Sequence, residues 1–181
     1  MNNDVSIIKN AKKAWIFQWN PDEYDTINDF IIGKEKEYWR VNAHWNRMSK
    51  GDLVLLWKTR AGKGKSTGEA GIYGIATLLD EPWEAAPDDV CKYWVTIKYL
   101  FLLPVPLTKS VLEQNSQFKP MALRVSRGTN FRVEPSEWNE LRTTLLFQGE
   151  SQKEIVQKNG VPDRHMYRGI RLYEIQKWLE S

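Results

Sequence analysis

Short apolar runs separated by turn formers set the pattern of this chain. Ala14 to Trp19 is aromatic and β-branched and stops at Asn20-Pro21, which predicts a first strand closed by a turn. Asp25 to Ile32 then changes period. Ile27, Phe30 and Ile31 fall on one face of a short helix, with Asp25 or Thr26 as its cap and Gly33 as its stop. Lys50-Gly51-Asp52 reads as a turn into Leu53 to Trp57, whose unbroken apolar character predicts a strand buried on both faces. Gly71 to Leu78 returns as another strand, its glycines permitting the sharp bending that small barrels need. Tyr93 to Leu103 is the longest strand expected, ending at Pro104-Val105-Pro106. Phe131-Arg132-Val133 predicts a last strand. Leu112 to Gln117 predicts a short helix, and Ser136 an N-cap for a helix carrying Trp138, Leu141, Leu145 and Leu146. Tyr38 to Met48, which mixes aromatics with Asn42, His44, Asn46 and Arg47, follows neither period. That mixture suggests a site.

Five or six strands with flanking short helices imply an α+β chain built on a small mixed β-barrel. Residues 1–13 read as a polar N-terminal arm, 14–147 as the barrel domain, and 148–181 as a helical appendage. At 181 residues with 41% hydrophobic content, one principal core is the expectation. No apolar run approaches the ~20 residues of a membrane helix. The polar opening Asn2-Asn3-Asp4 and the single Cys91 together suggest a cytoplasmic location.

A net charge of +3 understates how the charge is distributed. Lys58, Arg60, Lys63 and Lys65 form one basic loop, and Arg124, Arg127 and Arg132 a second, while acid collects at Asp80, Glu81, Glu84, Asp88 and Asp89. Single charge runs are often only solvated loops. Two cationic loops beside aromatics point further, to a polyanion such as nucleic acid. There are nine tryptophans, more than so small a core requires, and several should line a cleft suited to a flat ring.

Four segments in order carry a family resemblance. Trp15-Ile16-Phe17-Gln18-Trp19-Asn20-Pro21, Met48-Ser49-Lys50-Gly51-Asp52-Leu53-Val54, Gly71-Ile72-Tyr73-Gly74-Ile75-Ala76 and Gly128-Thr129-Asn130-Phe131 with Pro135 and Glu137 resemble the motifs of EVE domains. The resemblance covers Ala14 to Leu146. It implies a PUA-like fold related to YTH and ASCH domains, several of which hold a flipped, modified base between aromatic side chains. Stacking on an indole at ~1–3 kcal/mol per base offsets the unstacking of the flipped nucleotide. The residues expected to hold the base are Trp39 and Trp83 as cage walls, Trp57 as a floor, Trp19, and Asn20 as a donor, although Asn20 before Pro21 is equally a turn former. Lys58, Arg60, Lys63, Lys65, Arg124, Arg127, Thr129 and Arg132 are expected along the phosphate backbone. Trp15, Trp94 and Trp138 are expected in the core.

Other classes find less support. His44, His165 and Cys91 are too few for a zinc set, and neither histidine pairs with Cys91 by spacing. Gly62-Lys63-Gly64-Lys65-Ser66-Thr67 lacks the spacing of a phosphate loop. A binding module that needs no cofactor and performs no catalysis is therefore expected, with an RNA- or nucleotide-modifying enzyme as the alternative. A further alternative is a DNA-binding adaptor in which Gln152 to Arg168 forms a helix-turn-helix presenting Arg164, His165, Arg168 and Arg171. Association with a restriction or RNA-processing system would fit either binding role.

Overall fold

Strand β1 (Ala14–Trp19) is buried at every position and lies parallel to β3 (Leu53–Lys58), which is buried throughout as well. Strands with no solvent face have no need to alternate, which is why both read as continuous apolar runs. The computed structural model describes residues 11, 13–24, 26, 29, 34–59, 69–114 and 129–141. Between and after these two strands come β2 (Lys36–Val41), β4 (Gly71–Leu78), β5 (Trp83–Glu84), β6 (Tyr93–Thr108) and β7 (Asn130–Val133). They join in one sheet of order β2-β6-β4-β3-β1-β7, with β5 extending β6 beyond that path. Helix α1 (Lys109–Gln114) follows β6, and residues 135–141 form a second helix, α2.

Two buried clusters show that the sheet curls. One holds Trp15, Phe17, Trp19, Val54, Leu56, Val95 and Ile97; the other holds Ile16, Leu55, Trp57 and Ile72 with Leu112 of α1 and Leu141 of α2. Neighbouring strand residues alternate between the two, as side chains on a pleated sheet must. Trp39 of β2 meets Phe17 of β1 at 5.8 Å between ring centroids, although three strands separate β2 from β1 in the sheet. The first cluster is therefore the barrel interior, and the second lies between the outer face and the helices. This is a PUA-like fold.

The turn before β3 is built by three residues. Gly51 takes φ +87°, the left-handed value that its place in a Ser49–Asp52 turn requires, and the Asp52 amide donates to the Ser49 carbonyl at 3.0 Å. The buried Asp52 carboxylate then accepts the Trp15 indole N–H at 2.8 Å and the Ser49 amide at 3.0 Å. One motif thus sets the turn and satisfies a fully buried indole.

Several expectations need correction. Lys36–Val41 is a strand: Glu37, Trp39 and Val41 turn inward while Lys36 and Tyr38 are exposed, an alternation hidden by the charged residues that an edge strand tolerates. Strand β6 runs on past Pro104 and Pro106. Its Leu103 to Pro106 lie opposite the lone Tyr73, so both prolines fall in a bulge where no ladder donor is needed. Helix α2 begins at Pro135, not after Ser136. The Glu137 carboxylate accepts the Glu134 amide at 2.9 Å and the Trp138 amide bonds the Glu134 carbonyl at 2.9 Å, which makes Glu134 the cap. The short helix starts at Lys109, before the expected Leu112, and is described as far as Gln114; residues 115–117 lie outside the described residues. Residues 1–10 of the arm, the appendage of 148–181 and the expected helix from Asp25 to Ile32, save for the helical Thr26 and Asp29, lie outside the described residues.

Glycine substitutions test this architecture. A Cβ at Gly71 would stand 2.4 Å from the Leu107 carbonyl oxygen and 2.7 Å from the Thr108 Cα, both backbone atoms of the paired strand, whereas a Cβ at Gly51 meets nothing within 4 Å. Gly51→Ala should cost only the ~1–2 kcal/mol of a left-handed alanine. Gly71→Ala should cost more, since β4 and β6 must separate to admit it. Chemical denaturation of both variants checks the order, and a reversed order would refute the assigned strand pairing.

Candidate nucleic-acid interface

Tyr73 is unpaired in register on both sides of β4. Leu56 and Trp57 pair with Gly74 and Ile72 across one edge, and Leu102 and Leu107 pair with the same two residues across the other, so Tyr73 is skipped by both ladders. A bulge re-aims the side chain that it frees. The Tyr73 ring meets Trp19 edge-on at 6.1 Å, and the Lys58 ammonium lies 4.9 Å from its centroid. Burial raises the Tyr73 hydroxyl above its ordinary pKa, with the Glu69 carboxylate adding to the effect, and that hydroxyl donates to the Glu69 carbonyl at 2.8 Å. The mouth of the barrel at the ends of β1 and β3 is thus lined by a buried indole, a neutral phenol and a lysine that is itself 3% exposed.

Trp39 enters the same interior from β2. It is half-buried, packs against the interior cluster and leans on Phe17 with a 36° tilt between rings. Its strand is held in place by Asn130. The Asn130 carboxamide oxygen accepts the Asn42 amide at 3.0 Å and the Thr129 hydroxyl at 2.7 Å, and its nitrogen donates to the Arg40 carbonyl at 3.3 Å. The Asn42 side chain in turn donates to the Thr129 hydroxyl at 3.2 Å. The two terminal strands of the sheet, β2 and β7, are therefore joined through side chains, directly beside Trp39.

The sequence-predicted residues divide clearly. Trp19, Trp39 and Lys58 share the interior side, and Thr129 stands at the seam. Trp57 does not belong with them: it is 2% exposed and packs in the outer cluster against the helices, so it is no floor for an interior cage. Trp83 and Trp39 do not face each other either. Trp83 packs edge-on against Tyr38 at 5.9 Å, and Tyr38 precedes Trp39 on the strand and so points to the opposite face. Asn20 is a turn former: its carbonyl accepts the Glu23 and Tyr24 amides, and its side-chain oxygen accepts the Asp22 amide at 3.1 Å. Arg132 lies 3.6 Å from Glu134 on half-exposed side chains. Arg60, Lys63, Lys65, Arg124 and Arg127 are outside the described residues. Of the expected core indoles, Trp15 is fully buried, while Trp94 and Trp138 are partly exposed. Phe17, Asn42, Tyr73 and Asn130 were missed. The signal for Tyr73 was available, as an aromatic between two glycines in a strand marks a bulge. Among the described residues, no three His, Cys, Asp or Glu side chains group as metal ligands do.

A family model described as the EVE domain matches residues 13–144. No curated protein matches the sequence. Solved structures are similar in fold. A hypothetical protein from Leishmania major superposes with a TM-score of 0.60 at 17% identity, covering 78% of this chain and 98% of that one. Rpa0253 from Rhodopseudomonas palustris gives 0.56 at 21% identity, with coverage of 70% and 88%. Human THYN1, solved in complex with 5-methylcytosine-containing DNA, gives 0.57 at 10% identity, with coverage of 74% and 98%.

The seam makes its own prediction. Asn130→Ala removes both halves of a buried bridge and should destabilise the chain by ~1–3 kcal/mol. Asn130→Asp keeps the acceptor for Asn42 but sets an oxygen against the Arg40 carbonyl, so it too should loosen the seam. Amide hydrogen exchange should quicken at Asn42 in both variants while β3 stays protected. Unchanged exchange at Asn42 would mean that the bridge does not hold β2.

Proposed function

The chain belongs to the EVE domain family, and from that premise we propose that it is a nucleic-acid-binding module that takes a modified base into the barrel interior beside Trp39. The observation that carries this reading is Trp39 itself: a half-buried indole on an edge strand, leaning on Phe17, its strand bonded by Asn130 at Arg40 and Asn42. The human THYN1 complex with 5-methylcytosine-containing DNA supports the choice of ligand class.

The division of labour follows from the chemistry. Phosphate contacts give affinity that is blind to the base. The basic loops around Arg60 to Lys65 and Arg124 to Arg127 would supply the cations for these contacts, with the buried Lys58 held against Tyr73. A methyl or hydroxymethyl group on a base changes its hydrogen-bonding pattern little, so it is read by contact. The half-buried Trp39, backed by Phe17, offers an apolar face on which each added atom gains dispersion energy. Base extrusion costs a few kcal/mol, which stacking on Trp39 at ~1–3 kcal/mol and the phosphate contacts offset. Binding without catalysis is the role assigned here.

Competition between short oligonucleotides differing in one modified base is the direct test. The wild type should prefer the modified strand about tenfold or more, corresponding to ~1–3 kcal/mol for an enclosed methyl. Trp39→Ala should abolish the preference while retaining much of the total binding. Affinity for both strands should fall steeply with added salt as counterions cease to be released. Equal affinity for modified and unmodified strands, across cytosine and adenine modifications in DNA and RNA, would defeat the modified-base reading.

A further inference from the structure

The loop between β2 and β3 presents an aromatic pair that the base-binding role leaves unused. His44 takes φ 59° and ψ 14°, a left-handed conformation that non-glycine residues rarely adopt, and its ring lies 6.0 Å from that of Trp15. Trp45–Arg47 then form one short 3-10 turn, in which the Arg47 amide donates to the His44 carbonyl at 2.9 Å. Asn42 holds the loop at one end through Asn130, and Met48, buried in the interior cluster, holds it at the other. The turn lays the Trp45 indole flat on Tyr93, with 4.1 Å between centroids and 16° between planes. That ring covers one face of Trp45, yet the residue is 40% exposed, so its other face meets water.

The stack stands beside Trp39. In register Trp39 pairs with Val95 and Val41 with Tyr93, so Trp39 and Tyr93 are diagonal neighbours on one face of the sheet, roughly 7–8 Å apart. Charge around the pair is mainly positive. No carboxylate occurs from Asn42 to Lys50, while Arg47 and Lys50 are both exposed. Lys13 donates to the Arg47 carbonyl at 2.8 Å, and the Lys92 ammonium lies 5.4 Å from the Tyr93 centroid. Asp52, the next acid along the chain, is 5% exposed and turned onto the Trp15 indole, and Asp89 is held on the other face of the sheet by the Trp94 N–H. Glu84, opposite Tyr93 on β5, stands against the four cations. A flat ring among cations suits a nucleotide, whose base stacks while its phosphate pairs; an apolar protein segment would use the ring and leave the cations without anions.

We propose that the exposed face of Trp45 receives the unpaired base of a nucleotide flanking the one held at Trp39, extending the Tyr93–Trp45 stack by a third ring, with Arg47, Lys50 and Lys13 along its phosphates. The inference rests on the nucleic-acid-binding role proposed above, but not on any modification of the base. Every base has a π-face, so this site adds affinity for a single strand or a locally opened duplex and adds no selectivity among bases. The turn and the Tyr93 ring orient the indole before the strand arrives, which lowers the ordering cost of binding.

A fluorescein-labelled, unmodified single strand of about ten nucleotides, titrated with the full chain beside an equally long strand of abasic sites, tests this. The wild type should bind the base-bearing strand at least fivefold more tightly. Trp45→Ala should weaken that strand at least fivefold and the abasic strand less than twofold, while Trp45→Phe, which keeps a ring, should stay close to the wild type. Arg47→Glu with Lys50→Glu should weaken both strands at least tenfold. The ratio of modified to unmodified affinity should survive in Trp45→Ala, in contrast to Trp39→Ala. Equal affinity of the wild type for the two strands, or a base-bearing strand indifferent to Trp45→Ala, would overturn the proposal. So would collapse of the modified-base ratio in Trp45→Ala, which would make Trp45 a wall of the base pocket, or a change from dimer to monomer in that variant with oligonucleotide affinity intact, which would make the loop a contact between copies. A wild type without preference for modified bases would sink the modified-base reading alone, and the abasic comparison would still decide this one.

Discussion

The Asn130 carboxamide is 3% exposed and spans the gap between β7 and the end of β2, satisfying a carbonyl and an amide that the sheet itself cannot. Strands at the two ends of a sheet carry unpaired backbone groups, and curling the sheet removes those groups from water without giving them a ladder partner. A side chain with one donor and one acceptor in a fixed plane answers both at once. Everything at the barrel mouth follows from that closure. Only a curled sheet brings Trp39 onto Phe17, and only with β2 held does Trp39 have a defined orientation. An aromatic wall that swung with a free edge would enclose no methyl group, however well the rest of the barrel was packed.

The opposite end of the barrel depends on Asp52. Its carboxylate holds the Trp15 indole and the Ser49 amide, and its own backbone ties the turn to β4 through the Leu78 amide at 2.9 Å and the Thr77 hydroxyl at 3.1 Å. Losing the side chain would strand a buried N–H, whose desolvation costs ~1–3 kcal/mol. With that end fixed, irregularity is tolerated at the other. The Tyr73 bulge, the long Leu103 to Pro106 insertion opposite it and the enclosed Lys58 all gather near the mouth, where the bulge frees a side chain at the expense of a regular ladder.

Local patterns told the truth wherever one physical demand acted alone. Ala14 to Trp19, Leu53 to Trp57 and Gly71 to Leu78 are strands because they are buried on both faces, and nothing competes with that signal. Residues 36–41 failed to read as a strand because β2 serves two masters. Its inward positions carry Trp39 for the interior, and its outward positions carry Lys36, Tyr38 and Arg40 for a solvated face. Pro104 and Pro106 looked like an end because a proline cannot donate to a ladder; the bulge that excuses them is a property of the partner strand. The candidate site was legible as a composition, an excess of indoles near cations, but not as a geometry. Trp57 and Lys58 are neighbours in sequence and fall on opposite faces, and so do Tyr38 and Trp39. Which indole joins which ring depends on strand order, and strand order is a long-range fact.

In the proposed function, the place of Trp39 on an edge strand has a thermodynamic consequence. Interior strands β1 and β3 are buried at every position, so any adjustment there would disturb the core from both sides. β2 is packed on its inner side only and is joined to β7 by a few side-chain bonds, so its opening is among the least costly local motions of the barrel. A ligand that stacks on Trp39 requires the closed seam and therefore stabilises it. At one hundred times its dissociation constant it adds ~2.7 kcal/mol to the closed form, comparable with what the Asn130 bridge contributes. Recognition and closure are then two readings of one equilibrium. On the proposed function, a base that fits poorly would leave the seam no tighter than before, and discrimination would depend as much on the stiffness of the Asn130 bridge as on the rings beside it.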